Sequence, residues 1–364
     1  MKGEKGINIK ERAYRILKEK RGHVFIPRWD LLYGALLSTR GMGRLEGLPY
    51  YDASRELGFG IACTRNKAYS ERIEVEAKYE SSVFETITTY QTPYGDLRTV
   101  YKTTEELQRQ GVRGLTTEFL VKKAEDIDAA IYLIEHTEIV PEHQKIEQEL
   151  KNVGNDGIVA AQAGYVPYHE FMRVFAGYEA SYYLMEDVPL KVEALTCALE
   201  AKFEKIKRVC LESPADIITV DGHFNNMLIP PNLYREKMMS ELLSFGEEIH
   251  NKGKYFCSHT DAEMKGFLDM YLETGFDIAE AYTPPPMTNA SLEDAYAVWG
   301  DKITIWGGIA SCLLSKQASE EEFLAHAEKT LQETSGKGFI AGIGDNAPTD
   351  AVMSRMELLR DMFM

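Results

Sequence analysis

Two pairs of acidic and imidazole side chains stand two residues apart in this sequence, each after a short apolar run. Asp221 and His223 follow the run DIITV, and His259 and Asp261 follow the run YFC after one serine. In extended backbone, residues i and i+2 face the same side, so both members of each pair can point at one site. Neutral imidazole and carboxylate are ligands that zinc accepts. The pattern therefore predicts a metal site built from different strand ends.

A further acidic residue, Glu280, lies within the next apolar run, FDIAEA. We expect His259, Asp261, Glu280 and His223 as metal ligands, and Asp221, His259 and Glu280 as catalytic groups. The sequence has no H-x-x-x-H or H-x-C spacing, so no single segment defines the site and the ligands must come from different strands. The alternative is a hydrogen-bonded network of the same groups without a metal.

Polar and aromatic residues also follow the other apolar runs, and they predict a substrate site. They are Arg28, Trp29, Gln162, Tyr165, Asn225, Tyr282, Trp306 and Asp345. Each of them alone could equally cap a helix or pack in the core. Their repeated position after apolar runs favours a common site.

Short apolar runs that alternate with long amphipathic helical segments must position these residues. The runs are residues 157–164, 216–220, 255–257, 276–281, 303–307 and 338–343, with an earlier one at 23–30. Continuous hydrophobicity is typical of parallel strands that are covered on both faces. We therefore predict an α/β fold, a (β/α)8 TIM barrel with its site at the C-terminal strand ends. A doubly wound sheet is the alternative, but the sequence has no Gly-rich phosphate loop.

The segment between the run at 23–30 and the run at 157–164 has a different pattern. Residues 83–103 alternate apolar with polar residues around a Pro-Tyr-Gly-Asp turn, which predicts an antiparallel hairpin. Residues 125–150 have helical periodicity. We expect one barrel domain over residues 1–364, with an N-terminal insertion of a hairpin and helices at about residues 40–150.

Composition and charge exclude several functional classes. The net charge of −16 argues against binding to nucleic acid, which needs a clustered basic face. The sequence lacks a run of 18 apolar residues and begins with charged residues, so we expect neither a membrane span nor a signal peptide, and a cytoplasmic location. The five cysteines are widely spaced without a C-x-x-C pair, which argues against a disulfide framework.

Several segments resemble the uroporphyrinogen decarboxylase and cobalamin-dependent methyltransferase superfamily, and in particular its divergent members. They are TPYGDLR followed by TEFLVKKAEDIDAA, then DGHFNNMLIPPNLYREKM, YFCSHTDA, ITIWGGI and GIGDNAPTDAV. Their order and spacing match those of the superfamily over most of the chain. The resemblance implies the (β/α)8 fold and an enzymatic function.

Two departures from the superfamily's motifs favour its methyltransferase branch. Its decarboxylases carry an R-Q-A-G-R segment that holds substrate carboxylates, whereas the first run here leads to PRWDLLYG, in which Arg28 alone is a poor clamp. Its methyltransferases typically hold zinc with a His-x-Cys pair and a later Cys, and the matching positions here are His259, Asp261 and Ile343. An oxygen ligand in place of a thiolate suits a metal that polarises an ether or amine leaving group.

The resemblance therefore implies a methyltransferase that moves a methyl group from a small ether or amine to a corrinoid (cobalamin) on a partner protein, assisted by zinc. Asp221, Asn225 and Gln162 would orient the donor, while Trp306 and Tyr282 would exclude water. One alternative is a metal-free decarboxylase of a carboxylated small molecule or tetrapyrrole, in which a site residue protonates the product. Another is a non-catalytic barrel that binds a corrinoid or a similar ligand. The oligomeric state stays open.

Overall fold

The structure is a computed structural model that describes residues 7–39, 41–109 and 112–364. The strands within these ranges are β1 (Gly22–Phe25), β2 (Ile61–Lys67), β3 (Tyr69–Ile73), β4 (Ala77–Ser81), β5 (Glu85–Thr92), β6 (Gly95–Lys102), β7 (Leu115–Glu118), β8 (Thr137–Pro141), β9 (Gly157–Gly164), β10 (Ile217–Val220), β11 (Tyr255–His259), β12 (Ile278–Tyr282), β13 (Thr304–Ile309) and β14 (Gly338–Ile343).

The α-helices within the same ranges are α1 (Ile9–Glu19), α2 (Asp30–Thr39), α3 (Tyr50–Leu57), α4 (Glu105–Arg109), α5 (Asp126–Glu135), α6 (His143–Val153), α7 (Pro167–Glu170), α8 (Tyr178–Asp187), α9 (Pro189–Glu212), α10 (Pro231–Lys237), α11 (Met239–Asn251), α12 (Leu268–Thr274), α13 (Leu292–Trp299), α14 (Glu320–Glu333) and α15 (Met353–Phe363). A π-helical turn at Phe171–Phe175 extends α7.

Eight parallel strands form the main sheet in the order β1, β14, β13, β12, β11, β10, β9, β2. Strands β9 to β14 are neighbours both in the chain and in the sheet, so the order lacks the reversal that a doubly wound sheet requires. The sheet is curled, and Gly60 N, which directly precedes β2, donates to Phe25 O at the end of β1 at 3.0 Å. No strand ladder joins β1 to β2 there. The fold is thus a curled, TIM-like sheet.

The predicted apolar runs overlap every strand of the main sheet except β2. That strand falls inside the range of about 40–150 that the sequence assigned to an insertion, and this part of the prediction is corrected. The sequence of β2, IACTRNK, is apolar only in its first half, and its last three residues are exposed or half-buried. A buried parallel strand is normally apolar throughout, so the run was not recognised.

Two antiparallel sheets lie between β2 and β9 in the chain. One pairs β3 with β8, and the other has the order β4, β5, β6, β7. Strands β5 and β6 form the hairpin predicted at residues 83–103, and Thr92 pairs with Gly95 at its turn. Helices α5 and α6 lie where helical periodicity was predicted.

The interior of the curled sheet is apolar at the end where the strands begin. Side chains of β1, β9, β10, β12 and β14 meet there, and Ala13, Ile16 and Leu17 of α1 pack against them. Because α1 covers this end, the polar residues of the interior are left at the opposite, C-terminal end of the strands. A second and larger core lies between the sheet and the surrounding helices.

Within the described ranges, no helix combines the length and the hydrophobicity that crossing a bilayer requires. Residues 1–6, which belong to the segment that argued against a signal peptide, lie outside these ranges.

Candidate active site

A buried imidazole and carboxylate form the centre of the site, and adjacent strands position them. His259 ends β11 and pairs in register with Glu280 of β12. The distance from His259 Nδ1 to Glu280 Oε2 is 2.5 Å, and the side chains are 3% and 4% exposed. Since Nδ1 carries the proton of this hydrogen bond, the lone pair of Nε2 points away from Glu280, toward the C-terminal end of the sheet.

Asp261 and His223 face the other side of the His259 ring. Asp261 Oδ2 lies 3.4 Å from His259 Nε2, and Asp261 Oδ1 lies 2.7 Å from His223 Nδ1. The centres of the two imidazole rings are 4.6 Å apart. The structure therefore brings His223, one member of the first pair, together with both members of the second pair.

A close backbone approach holds His223 beside His259. His223 N donates to His259 O at 3.2 Å, and the φ of His223 is +48°. A Cβ atom on the preceding Gly222 would lie 2.0 Å from the same carbonyl oxygen. Only glycine fits at position 222, which explains the Asp-Gly-His order of the loop.

The carboxylates of this cluster stay ionised. Burial raises the pKa of Asp261, but its contacts with the His223 and His259 imidazoles outweigh this effect and hold that pKa well below its usual range. Burial likewise opposes ionisation of Glu280, and His259, Arg28 and Arg65 together lower its pKa. Both carboxylates are therefore charged at neutral pH and favour a cation between them.

The protonation of His259 depends on two opposing influences. Burial lowers its pKa, while Glu280 and Asp261 raise it to about 10. Against this, Arg65 Nη2 lies 3.0 Å from Nε2, closer than the Asp261 oxygen. A guanidinium only donates, so this contact requires an unprotonated Nε2. The distances thus favour a neutral ring with its proton on Nδ1.

Arg65 was missed by the sequence analysis because β2 itself was missed. Its side chain shares Asp345 Oδ1 with that of Arg28, at 3.1 and 2.9 Å respectively. Asp345 follows β14 in a left-handed backbone conformation, with a φ of +65°. Three strand ends thus contribute to one charged group, in which two of the predicted substrate residues, Arg28 and Asp345, lie together.

A cavity of about 430 Å³ adjoins this charged group. Its lining includes three guanidinium groups, from Arg28, Arg65 and Arg113, and the carboxylates of Asp30 and Asp345. Aromatic and amide side chains, including Tyr50 and Asn346, complete the wall. The cavity can accept a small polar or anionic molecule next to His259.

A second cavity, of about 270 Å³, is lined in part by Tyr165 and Asp221. Gln162 Nε2 donates to Asp221 Oδ1 at 2.5 Å, so two further predicted site residues are in contact. The Tyr165 ring lies 6.4 Å from the His223 ring, and its hydroxyl accepts a hydrogen bond from Arg173. Tyr165 therefore lines this cavity and also lies near His223.

Four of the predicted site residues lie apart from the cluster. Trp29, Tyr282 and Trp306 are buried in the core, where they donate hydrogen bonds to Ser54, to the carbonyls of residues 290 and 291, and to the carbonyl of residue 26. Asn225 accepts from the backbone N–H of residue 227 within its own loop. The predicted contacts of these four residues with a substrate stay predictions.

The cluster has the composition of a catalytic metal site. One ligand atom from each of His223, His259 and Asp261 can be chosen so that all three lie within 4.8 Å of one another. In tetrahedral zinc the ligand atoms are roughly 3.3 Å apart, so small side-chain rotations would suffice. Three protein ligands leave one position open, as in catalytic zinc sites. Glu280 stands behind His259 as the carboxylate that orients a ligand imidazole, and not among the three.

A family model described as uroporphyrinogen decarboxylase (URO-D) matches residues 175–363 of this chain, slightly more than half of it. The chain belongs to this family, which confirms the resemblance drawn from its motifs. The matched range includes strands β10 to β14 and the whole imidazole and carboxylate cluster.

Comparison with solved structures finds a similar fold in a methyltransferase from Methanosarcina mazei. The TM-score is 0.58 at 13% sequence identity, and the match covers 98% of this chain and 99% of that one. A 3-keto-D-glucoside 4-epimerase, YcjR, from E. coli in its apo form is 14% identical over 67% of this chain and 95% of its own, with a TM-score of 0.36. No curated protein matches the chain. The first of these likenesses supports the fold.

Proposed function

We propose that this chain is a methyltransferase that moves a methyl group from a small ether or amine donor to a corrinoid held by a partner protein, with zinc at the cluster of His223, His259 and Asp261. The observation that carries the proposal is the set of two imidazoles and one carboxylate whose ligand atoms lie within 4.8 Å of one another. The fold shared with a protein described as a methyltransferase agrees with it. We further propose one barrel domain that acts in the cytoplasm, in which the two antiparallel sheets between β2 and β9 are the insertion.

Zinc bound there would act as a Lewis acid that polarises the heteroatom of the donor. Glu280 keeps the proton of His259 on Nδ1, so that Nε2 offers its lone pair. Asp261 contacts both imidazoles and sets the angle between them. Asp221, fixed by Gln162, is placed to orient the donor. These groups supply position and charge before the donor arrives.

The metal-free decarboxylase is the second candidate, and one observation favours it. Arg28 was expected as a lone arginine near the first strand. In the structure, Arg28, Arg65 and Arg113 all line the cavity of about 430 Å³. Guanidinium groups bind carboxylates in a bidentate manner, so this set can hold an acidic substrate. In that mechanism His259 would donate the proton to the product carbanion.

The first experiment is the metal content of the purified protein, measured by mass spectrometry after incubation with zinc and removal of the excess. We expect about one zinc per chain in the wild type and a large loss in His259→Ala and in Asp261→Ala. His250→Ala is the matched control, since His250 pairs with Asp277 at 2.9 Å and is largely exposed. A wild type that binds no zinc would refute the proposal and favour the decarboxylase.

Turnover separates the candidates further. Zinc-loaded protein is incubated with methylated ethers and amines and with a cobalt(I) corrinoid, and the methylated corrinoid is followed by its absorption spectrum. We expect this product to form, and to be lost together with zinc in Asp261→Ala. Release of carbon dioxide from a carboxylated substrate by the metal-free protein would instead support the decarboxylase.

A further inference from the structure

Arg65 occupies the one atom of His259 that a metal would need. Its Nη2 lies 3.0 Å from His259 Nε2, which is the nitrogen that faces Asp261 and His223. An unprotonated imidazole nitrogen has a single lone pair in the ring plane, which accepts one hydrogen bond or forms one metal bond. The Arg65 contact and a metal at Nε2 therefore exclude each other.

The backbone of β2 directs Arg65 toward this position. The pairing of β2 with β9 shifts register between Cys63 and Asn66, so that Thr64 and Arg65 lie in an irregular stretch of the ladder. Such irregularities re-aim side chains and are frequent beside active sites. The Arg65 side chain is also 40% exposed, which leaves it room to move without disturbing the core.

A second acceptor for Arg65 already lies next to the first. The same Nη2 atom is 3.1 Å from Asp345 Oδ1, and Arg28 holds that oxygen in place at 2.9 Å. A small rotation of the guanidinium away from His259 would thus keep its hydrogen bond to Asp345. The loss of one contact is offset by one that is already formed.

We propose that Arg65 is a resident cation that closes the Nε2 position of His259 in the metal-free protein and withdraws onto Asp345 when a metal binds. This inference rests on the metal site of the proposed function. It assigns to Arg65 a positioning role: without metal the residue places a positive charge beside His259 and the Asp345 carboxylate, and it sets how tightly the site takes up a divalent cation.

The test compares zinc affinity in Arg65→Gln and Arg28→Gln, measured by competition with a chromophoric chelator. Both variants remove one positive charge that shares the Asp345 oxygen, but only Arg65 touches His259. We expect Arg65→Gln to bind zinc roughly tenfold more tightly than the wild type, because a charge-assisted hydrogen bond no longer competes. Arg28→Gln should change the affinity by about threefold or less, since it removes the charge alone. Equal effects of the two variants would overturn the proposal.

A measurement on Arg65 itself supplies an independent readout. The guanidinium NMR signals of Arg65 should change when zinc is added to the wild type, because the contact with His259 is lost. Unchanged Arg65 signals in the presence of bound zinc would overturn the proposal.

The two proposals fail differently. Zinc that is bound by the wild type and lost in His259→Ala supports the metal site, and an unchanged affinity in Arg65→Gln then refutes only the role of Arg65. A wild type that binds no zinc refutes both, because the role of Arg65 presupposes a metal that binds at His259.

Discussion

Replacing Glu280 by glutamine tests whether a buried carboxylate prepares His259 for a metal. The change keeps the shape of the side chain and an oxygen that can accept the proton of Nδ1, but it removes the charge 2.5 Å from that nitrogen. Carboxylates behind ligand imidazoles typically contribute 10- to 100-fold in metal affinity, or about 1.4–2.7 kcal/mol. Both side chains are at least 96% buried, so water cannot enter to compensate for the lost charge. We therefore expect a loss of zinc affinity near the upper value.

The assay is zinc competition with a chromophoric chelator at constant pH, with circular dichroism to show that the variant is folded. Glu263→Gln is the matched control: it removes the same charge from the loop after β11, where Glu263 accepts hydrogen bonds from Asn289 outside the cluster. Unchanged affinity in Glu280→Gln, or an equal loss in the control, would refute the assigned role of Glu280.

Two further predictions concern the fold. Gly60→Ala should lower the free energy of unfolding by about 1–3 kcal/mol, measured by urea titration. The added Cβ would lie 2.8 Å from Phe25 O, the carbonyl to which Gly60 N donates. Gly34→Ala, with no atom within 4 Å of its Cβ, should leave the stability unchanged or raise it, and a similar loss there would contradict the argument. Lys202→Met should cost about 3 kcal/mol or more, because it leaves the buried Glu170 without its partner at 2.5 Å. Burial already raises the pKa of Glu170, and Lys202 opposes that rise. The stability lost in Lys202→Met should therefore shrink as the pH falls from about 8 to 5 and Glu170 protonates. A loss of stability that does not change with pH would refute this reasoning.

The fold was largely predictable because most strands of the main sheet are apolar throughout. GFIAGI is buried along its whole length and GIVAAQAG at every residue except the half-buried Gln162, a pattern that is typical of covered parallel strands. Strand β2 escaped because its second half is polar. Because β2 was not recognised, Arg65 was not among the candidate site residues, although it contacts both His259 and Asp345.

The polar cluster was predictable from spacing, but the aromatic residues were not. Tyr282 was expected to line the site because it follows the apolar run FDIAEA, and strict alternation along β12 would put it on the same face as Glu280. The structure has a register shift between these two residues and a φ of +60° at Ala281, which turns Tyr282 toward Trp299 in the helical layer. A single backbone irregularity of this kind leaves no trace in the hydrophobic pattern.

The pairing of the first strand of the main sheet with its last strand, β14, also constrains how the protein folds during synthesis. Strand β1 finds its ladder partner only in β14, through pairs such as His23 with Phe339. During synthesis, β1 therefore emerges from the ribosome long before residues 338–341 exist to pair with it. Until then its backbone groups form an open edge that can add strands from other chains. The yield of this protein should consequently depend more on translation speed and on access to chaperones than on the stability of the folded state.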